Sequence, residues 1–259
     1  MMFDLFSDIF TYRDNALARI DPRAKLAIAL AALVAVVTAE RIVLPLCVFG
    51  LCLGTVVGLR IPAKLIAVRL AAPLSIVAVL VVLQTFLTGA TPIFAFTLAG
   101  WEFTAKAEGL RQGMLLGARV LGAVSVVFLL SVVTPAHRIF QALRWFRLSR
   151  NWLEIAVLMY RYIFVLMESA ADLAAAQKLR LGYTTKGRAL RSFTALAGAT
   201  IVHSLEQAER THNAMRLRGY RGVMPFGPLP ALGRRDRMIL AFCLAGIASA
   251  RLLEWGAGR

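Results

Sequence analysis

Apolar runs of similar length recur along the first half of the chain, each broken by a short polar segment. The runs at 24–39, 42–59, 70–89 and 110–133 read as four membrane-spanning helices, and a fifth run fills 238–254. Ile20-Asp21-Pro22-Arg23-Ala24-Lys25-Leu26 opens the first run. Asp21 suits a helix cap, and Pro22 suits the first helical position, where its missing N–H costs nothing. Glu40-Arg41 makes a tight polar turn, and Arg60, Pro62, Lys64 and Arg69 make a basic loop. Pro73 is expected in the first turn of the third run, where proline is tolerated. Residues 90–108, with Gly, Thr, Pro, Trp101 and Phe103, read as a loop whose aromatics suit the membrane interface. Residues 3–19 set Phe3, Phe6, Phe10 and Leu17 among Asp and Arg, which fits an amphipathic surface segment or a disordered tail equally.

The pattern changes at Thr134-Pro135. Residues 136–148 predict a short amphipathic helix, with Arg138, Arg144 and Arg147 among Ile139, Phe140, Leu143 and Trp145. A long helix over 151–180 is apolar at first and polar later. Another over 188–218 carries apolar or small residues at 193, 196, 197, 200, 201, 204, 205, 208, 212 and 215, a helical period. That stripe reads as packing on a helix or on a membrane. The chain thus divides into 1–134 (leading segment and four spans), 135–221 (long amphipathic helices) and 222–259 (a Pro/Gly-rich loop and the last span). The fold class is an all-α polytopic membrane protein. It has five spans, or up to seven if the pair 151–180 and 188–218 crosses as a hairpin.

Composition agrees. The chain is 59% hydrophobic, above the roughly 45–50% of soluble domains. A formal charge of +16 would point to nucleic acid in a soluble chain. Here no aromatic and basic interleaving marks a base-stacking groove, and the charge follows the cytoplasmic bias of membrane proteins. With the N-terminus inside, most of the 30 Lys/Arg fall on the cytoplasmic side, chiefly within 135–237. Three cysteines in apolar runs, Cys47, Cys52 and Cys243, form no Cys-x-x-Cys pair and read as packing residues. The acidic start lacks a basic leader, so internal spans are expected to direct insertion. Within 110–133, Gly113, Gly117, Ala118, Gly122 and Ala123 allow close helix contact. Arg119 lies inside that run and either faces protein or snorkels to an interface.

Catalytic and metal chemistry finds no support. His137, His203 and His212 are isolated from any zinc-type spacing, and no Gly-x-Ser-x-Gly elbow occurs. Gly182-Tyr183-Thr184-Thr185-Lys186-Gly187 spaces two glycines like a phosphate loop, but Arg188-Ala189 replace the needed Lys-Ser/Thr. No Asp or Glu sits at the centre of a span, which weighs against a proton-coupled secondary carrier. Glu154, Glu168, Asp172, Glu206 and Glu209 read as helix-surface ion-pair partners rather than the acid cluster of a membrane enzyme.

One duplication stands out. Ala176-Gln177-Lys178-Leu179-Arg180 overlays Ala214-Met215-Arg216-Leu217-Arg218 after a shift of 38 positions. Each is followed by Gly-Tyr, Gly182-Tyr183 and Gly219-Tyr220, the second pair one residue closer. Glycine after a helical run is a stop signal, so each segment reads as a helix end with an arginine in its last turn. One such arginine is adequately explained as a cap. Two equivalent ones point to a partner with two equivalent sockets.

Taken together these residues resemble the transmembrane T component of energy-coupling-factor importers, of the CbiQ/EcfT kind. Asp21-Pro22-Arg23-x-Lys25-Leu26 is similar to the N-terminal signature of that family, and the two basic helix ends are similar to its coupling motifs. Leu179, Leu181 and Leu217 depart from the usual small residues. The resemblance implies a non-catalytic membrane scaffold, without a cofactor of its own. It joins two cytoplasmic ATPases, which carry ATP and Mg, to a substrate-binding membrane subunit in a prokaryotic inner membrane. On that likeness Arg180 and Arg218 enter the ATPases, supported by Ala176, Leu179, Ala214, Met215, Leu217 and Gly219, and the cargo is cobalt or nickel, or else a vitamin.

Overall fold

The computed structural model describes residues 17, 20–89, 91–98, 101–146, 148–222 and 231–256. Among them the order is α1 (Pro22–Val37), α2 (Val43–Gly58), α3 (Ala63–Leu87), β1 (Pro92–Leu98), β2 (Trp101–Lys106), α4 (Ala107–Val133), α5 (Ala136–Trp145), α6 (Arg150–Leu179), α7 (Lys186–Leu217) and α8 (Arg234–Gly256). The architecture is all-α but for one antiparallel hairpin, β1–β2, in register from Phe94↔Ala105 to Leu98↔Trp101. That hairpin replaces the loop expected over 90–108. The segment 3–19, apart from Leu17, and residues 223–230 of the Pro/Gly-rich loop lie outside the described residues.

The chain forms two compact units. The first holds α1–α4, the hairpin and α8; the second holds α6 and α7; the division falls within α5. In the first unit α4 is the shared element, with α1, α2 and α3 all packed on it. A row of small residues makes this feasible. A Cβ at Gly109 would strike the carbonyl oxygens of Gln84 and Thr88, one at Gly113 would lie 3.1 Å from the Val81 Cα, and one at Gly117 would lie 2.8 Å from the Val77 side chain. Hence α3 backbone lies directly on α4. Gly122 serves α1 and α2 instead, since a Cβ there would meet the Pro45 carbonyl and Val36. Buried clusters fill the remaining gaps: Ala29, Ala32, Cys52 and Val126; Ala35, Val36, Ala39 and Leu44; Val56, Ile66 and Phe128.

The outer faces stay apolar. On α3 only Ile66 is buried, while Val79, Val82, Leu83 and Leu87 are exposed. A continuous apolar surface of this kind belongs in lipid. Among the described residues α3 and α4 combine the length and hydropathy for crossing a membrane, and α2 is apolar but shorter. The third run starts earlier than its hydropathy implies, because Lys64 and Arg69 belong to α3. Pro73 therefore sits inside the helix, not in its first turn. It withholds an N–H from the carbonyl four residues earlier.

Cations lock α1 against α4. Lys25 Nζ donates to the Val133 carbonyl at the end of α4, at 3.5 Å, and Arg119 Nε donates to the Ala39 carbonyl at the end of α1, at 2.9 Å. Fourteen residues separate each pair of anchor positions, 25 to 39 and 119 to 133, about 21 Å of helix on α4, with Ala39 two residues past the last helical residue of α1. The two helices therefore run antiparallel in register, each ending on a cation carried by the other, where helix-end carbonyls favour positive charge. Arg251 of α8 adds a third donor, to the Thr38 carbonyl at 2.9 Å.

Candidate functional site

The second unit carries the duplicated ends. At the end of α6, Arg180 N–H donates to the Ala176 carbonyl (3.2 Å), Leu181 N–H to Lys178 (3.1 Å) and Gly182 N–H to Gln177 (2.9 Å). At the end of α7, Arg218 N–H donates to Ala214 (3.2 Å), Gly219 N–H to Arg216 (3.0 Å) and Tyr220 N–H to Met215 (3.0 Å). These three bonds correspond under the same shift of 38, Ala176 onto Ala214, and Arg218 N–H adds a further bond to Met215 at 3.1 Å. Arg180 and Arg218 hold matching conformations, φ −84, ψ 16 and φ −87, ψ 12. The two tips are thus the same backbone motif built twice.

Glycine placement differs from the sequence expectation. The left-handed residue that ends α7 is Gly219, φ 82, but the one that ends α6 is Leu181, φ 57. Gly182 has another purpose. A Cβ on it would lie 2.6 Å from the Ser192 Oγ and 2.9 Å from the Gln177 carbonyl, so α7 could not come this close. Ser192 Oγ then donates to the Gly182 carbonyl at 3.0 Å, and the Tyr183 hydroxyl donates to Gln177 Oε1 at 2.8 Å. A non-glycine side chain in the left-handed region is strained. Leu181→Gly is therefore expected to stabilise the α6–α7 turn by about 0.5–1 kcal/mol, read as slower amide hydrogen exchange over 176–186 with tip geometry retained.

Side-chain exposure at the tips is extreme for leucine: 87% at Leu179 and 90% at Leu217. Ala176, Arg180, Ala214, Arg218 and Gly219 are exposed as well, and Met215 is half-buried. Among the described residues no carboxylate pairs with Arg180 or Arg218. Each tip thus presents one apolar and one forked cationic side chain, a combination that buries well only against a partner. The tips lie at opposite ends of α7. Arg180 shares a concavity with Arg188 and Arg191 near its start, while Arg218 follows its last residue, about 40 Å further on at 1.5 Å per residue. A Tyr162–Thr211 hydroxyl bond of 2.8 Å ties α6 to α7.

The Asp21, Pro22, Arg23 and Lys25 signature belongs to the first unit and is an internal brace. Asp21 Oδ1 accepts from Arg23 N–H at 2.9 Å, Pro22 takes the first helical position, and Arg23 is buried at 7% exposure. Lys25 makes the bond to Val133 described above. Arg251 was invisible to sequence reasoning, being a single cation near the end of an apolar run. Of the carboxylates expected as helix-surface partners, Glu206 pairs with Arg210 at 2.8 Å on the surface, whereas Glu154 pairs with Arg150 at 3.3 Å but is itself buried, at 6% exposure. No cluster of three or more His, Cys, Asp or Glu suited to a metal occurs among the described residues.

An uncharacterized protein of Methanocaldococcus jannaschii is 30% identical over 80% of this chain and 78% of its own length. The cobalt transport protein CbiQ of Rhodobacter capsulatus is 29% identical over 66% of each chain. A putative fused cobalt transport protein, CbiMQ, of Methanocorpusculum labreanum is 28% identical over 77% of this chain and 34% of its own length. Residues 13–226 match the family described as cobalt transport protein, CbiQ, a span that takes in the brace, the α4 core and both tips, and the chain belongs to that family of membrane transport components.

Proposed function

We propose that this chain is the coupling subunit of an ATP-driven importer. It transmits movement from two cytoplasmic ATPases, one gripping each tip, to a substrate-binding membrane subunit. The observation that carries this reading is the pair of superimposable tips with their nearly bare leucines and arginines. A guanidinium offers a planar fork of donors to carboxylates or helix-end carbonyls, and the adjoining Leu179 or Leu217 supplies an apolar anchor. ATP and Mg would be bound by the partners; the tips do no bond chemistry. The excess of Lys and Arg within 135–237 supports a prokaryotic inner-membrane protein with its N-terminus and both tips on the cytoplasmic side. Cobalt is the cargo in the names of two relatives. The cargo of this importer would accordingly be cobalt or the chemically similar nickel, and recognition of it would lie in the membrane partner.

The geometry shapes how coupling would work. Both contacts flank one 32-residue helix, a rod of about 48 Å. Approach of the two motors cannot shorten a hydrogen-bonded rod. The motion would be taken up by rotation of α7 and by the turn at 181–185, and the exposed apolar face of α6 (Trp152, Ile155, Met159, Ile163) would carry it to the neighbouring membrane subunit. A photo-crosslinking residue placed at 179 or at 217 is expected to capture an ATPase chain from cells expressing the whole importer. The same residue at Val79, on the lipid face, should not. Absence of the ATPase from both tip adducts would end this reading.

A further inference from the structure

Arginines crowd the turn between α6 and α7. Arg180 caps the end of α6, and Arg188 and Arg191 follow in the first turns of α7. With Ser192 and Ala195 these two occupy i, i+3, i+4 and i+7, one face of the helix. That face meets the end of α6, where Ser192 Oγ donates to the Gly182 carbonyl. Arg180, Arg188 and Arg191 line one concavity of about 280 Å³ there, and all three are exposed. Among the described residues no carboxylate pairs with any of them. Arg188 donates to a neutral group instead, Thr184 Oγ1 at 3.4 Å. No Asp or Glu occurs from Leu173 to Leu205, whereas further along α7 Arg210 meets Glu206 at 2.8 Å. Like charges gathered without a counter-ion repel, and an anion entering the concavity relieves that cost.

We infer that Arg188 and Arg191 extend the first tip into a two-helix contact, in which the ATPase that grips Leu179 and Arg180 also places Asp or Glu side chains in this concavity. The inference rests on the coupling role proposed for the tips and carries it across the turn to α7. Continuity decides the occupant. Arg180 lines the concavity and directly follows Leu179, which is 87% exposed. A free phosphate would fill the space and leave that leucine bare, whereas one protein surface covers both. Guanidinium forks hold a carboxylate by two bonds at once, so arginines from two helices fix an acidic side chain in orientation as well as in place. The first motor thereby holds α7 as well as α6, and its movement reaches the start of α7 directly.

The test uses the whole importer in membranes. Arg188→Gln with Arg191→Gln is expected to lower the ratio of ATPase adducts formed by a photo-crosslinking residue at 179 to those formed at 217, by about fivefold or more. Arg188→Lys with Arg191→Lys should restore most of that ratio, since lysine keeps the charge but not the fork. The lysine pair also reports the contact directly. A carbodiimide condenses a lysine amine with a carboxylate it touches, releasing water, and peptide mapping should find residue 188 or 191 amide-linked to an Asp or Glu of the ATPase. An unchanged ratio in the glutamine pair overturns the inference. So do lysines at 188 and 191 that take up no ATPase carboxylate while residue 179 still captures the ATPase, and in that case the coupling role of the tips stands. Absence of the ATPase from both the 179 and 217 adducts of the otherwise unaltered chain would remove the coupling role and this contact together.

Discussion

Charge reversal at both tips, Arg180→Glu with Arg218→Glu, is expected to abolish recovery of the ATPases with this chain from detergent extracts. A buried, hydrogen-bonded charge at an interface is worth about 2–5 kcal/mol on truncation, and reversal adds like-charge repulsion. Two such sites together correspond to a loss well beyond about a hundredfold. Either single variant should weaken recovery by about tenfold or more, because one tip remains to hold the complex. The chain itself should be unharmed. Both arginines are exposed and neither pairs with a carboxylate among the described residues. Glutamate at 180 even places a negative charge beside Arg188 and Arg191, so the melting temperature should hold or rise. Undiminished recovery of the ATPases by the double variant would sink the coupling role of both tips.

The contrast between the two tips shows what a sequence can carry. The motif repeat was legible because Ala, basic, Leu and Arg recur in one order. The detail of the turn was not, because two glycines with different tasks look alike in one dimension. Gly219 is there for its positive φ, whereas Gly182 is there because Ser192 arrives from ten residues later. Aligning the tips on their Gly-Tyr pairs puts Gly182 opposite Gly219; the hydrogen bonds put Leu181 there.

Similar limits apply in the first unit. Helix positions followed from apolar periodicity, and the small residues at 113, 117 and 122 announced the close contacts of α4. Hydropathy missed the start of α3, since Lys64 and Arg69 look like loop residues, and Pro73 was displaced with it. The β1–β2 hairpin left little trace, because strands of seven and six residues flanked by Gly, Thr and Pro read equally as loop. The stripe on α7 was legible as a stripe. Which part of it α6 covers was not, because that depends on where the turn at 181–185 sends the helix.

Arg119 is the case where structure decides between two readings of equal standing, and its removal should destabilise the chain more than removal of either other bracing cation, Lys25 or Arg251. The reason lies in helix length. α1 has 16 residues, about 24 Å, against a hydrocarbon core of about 30 Å. α4 has 27 residues and continues twelve residues beyond Arg119 toward its own start. The end of α1 therefore stops beside the interior of α4, where Ala39 is 0% exposed and water cannot reach its carbonyl. Arg119 supplies the donor through Nε and Nη2 together. A snorkelling arginine could not make that bond. Arg119→Leu leaves the carbonyl buried without its donor, at a cost of about 2–3 kcal/mol. That corresponds to a fall of about 5–10 °C in the melting temperature of the detergent-solubilised chain. Arg119→Lys keeps the charge but loses the fork, and should fall between. Arg251→Ala should cost less than Arg119→Leu, since its side chain is 33% exposed and also engages Glu254. If Arg119→Leu melts with the unaltered protein, the α1–α4 lock is not what holds this end of the bundle, and the antiparallel register rests on Lys25 and apolar packing alone.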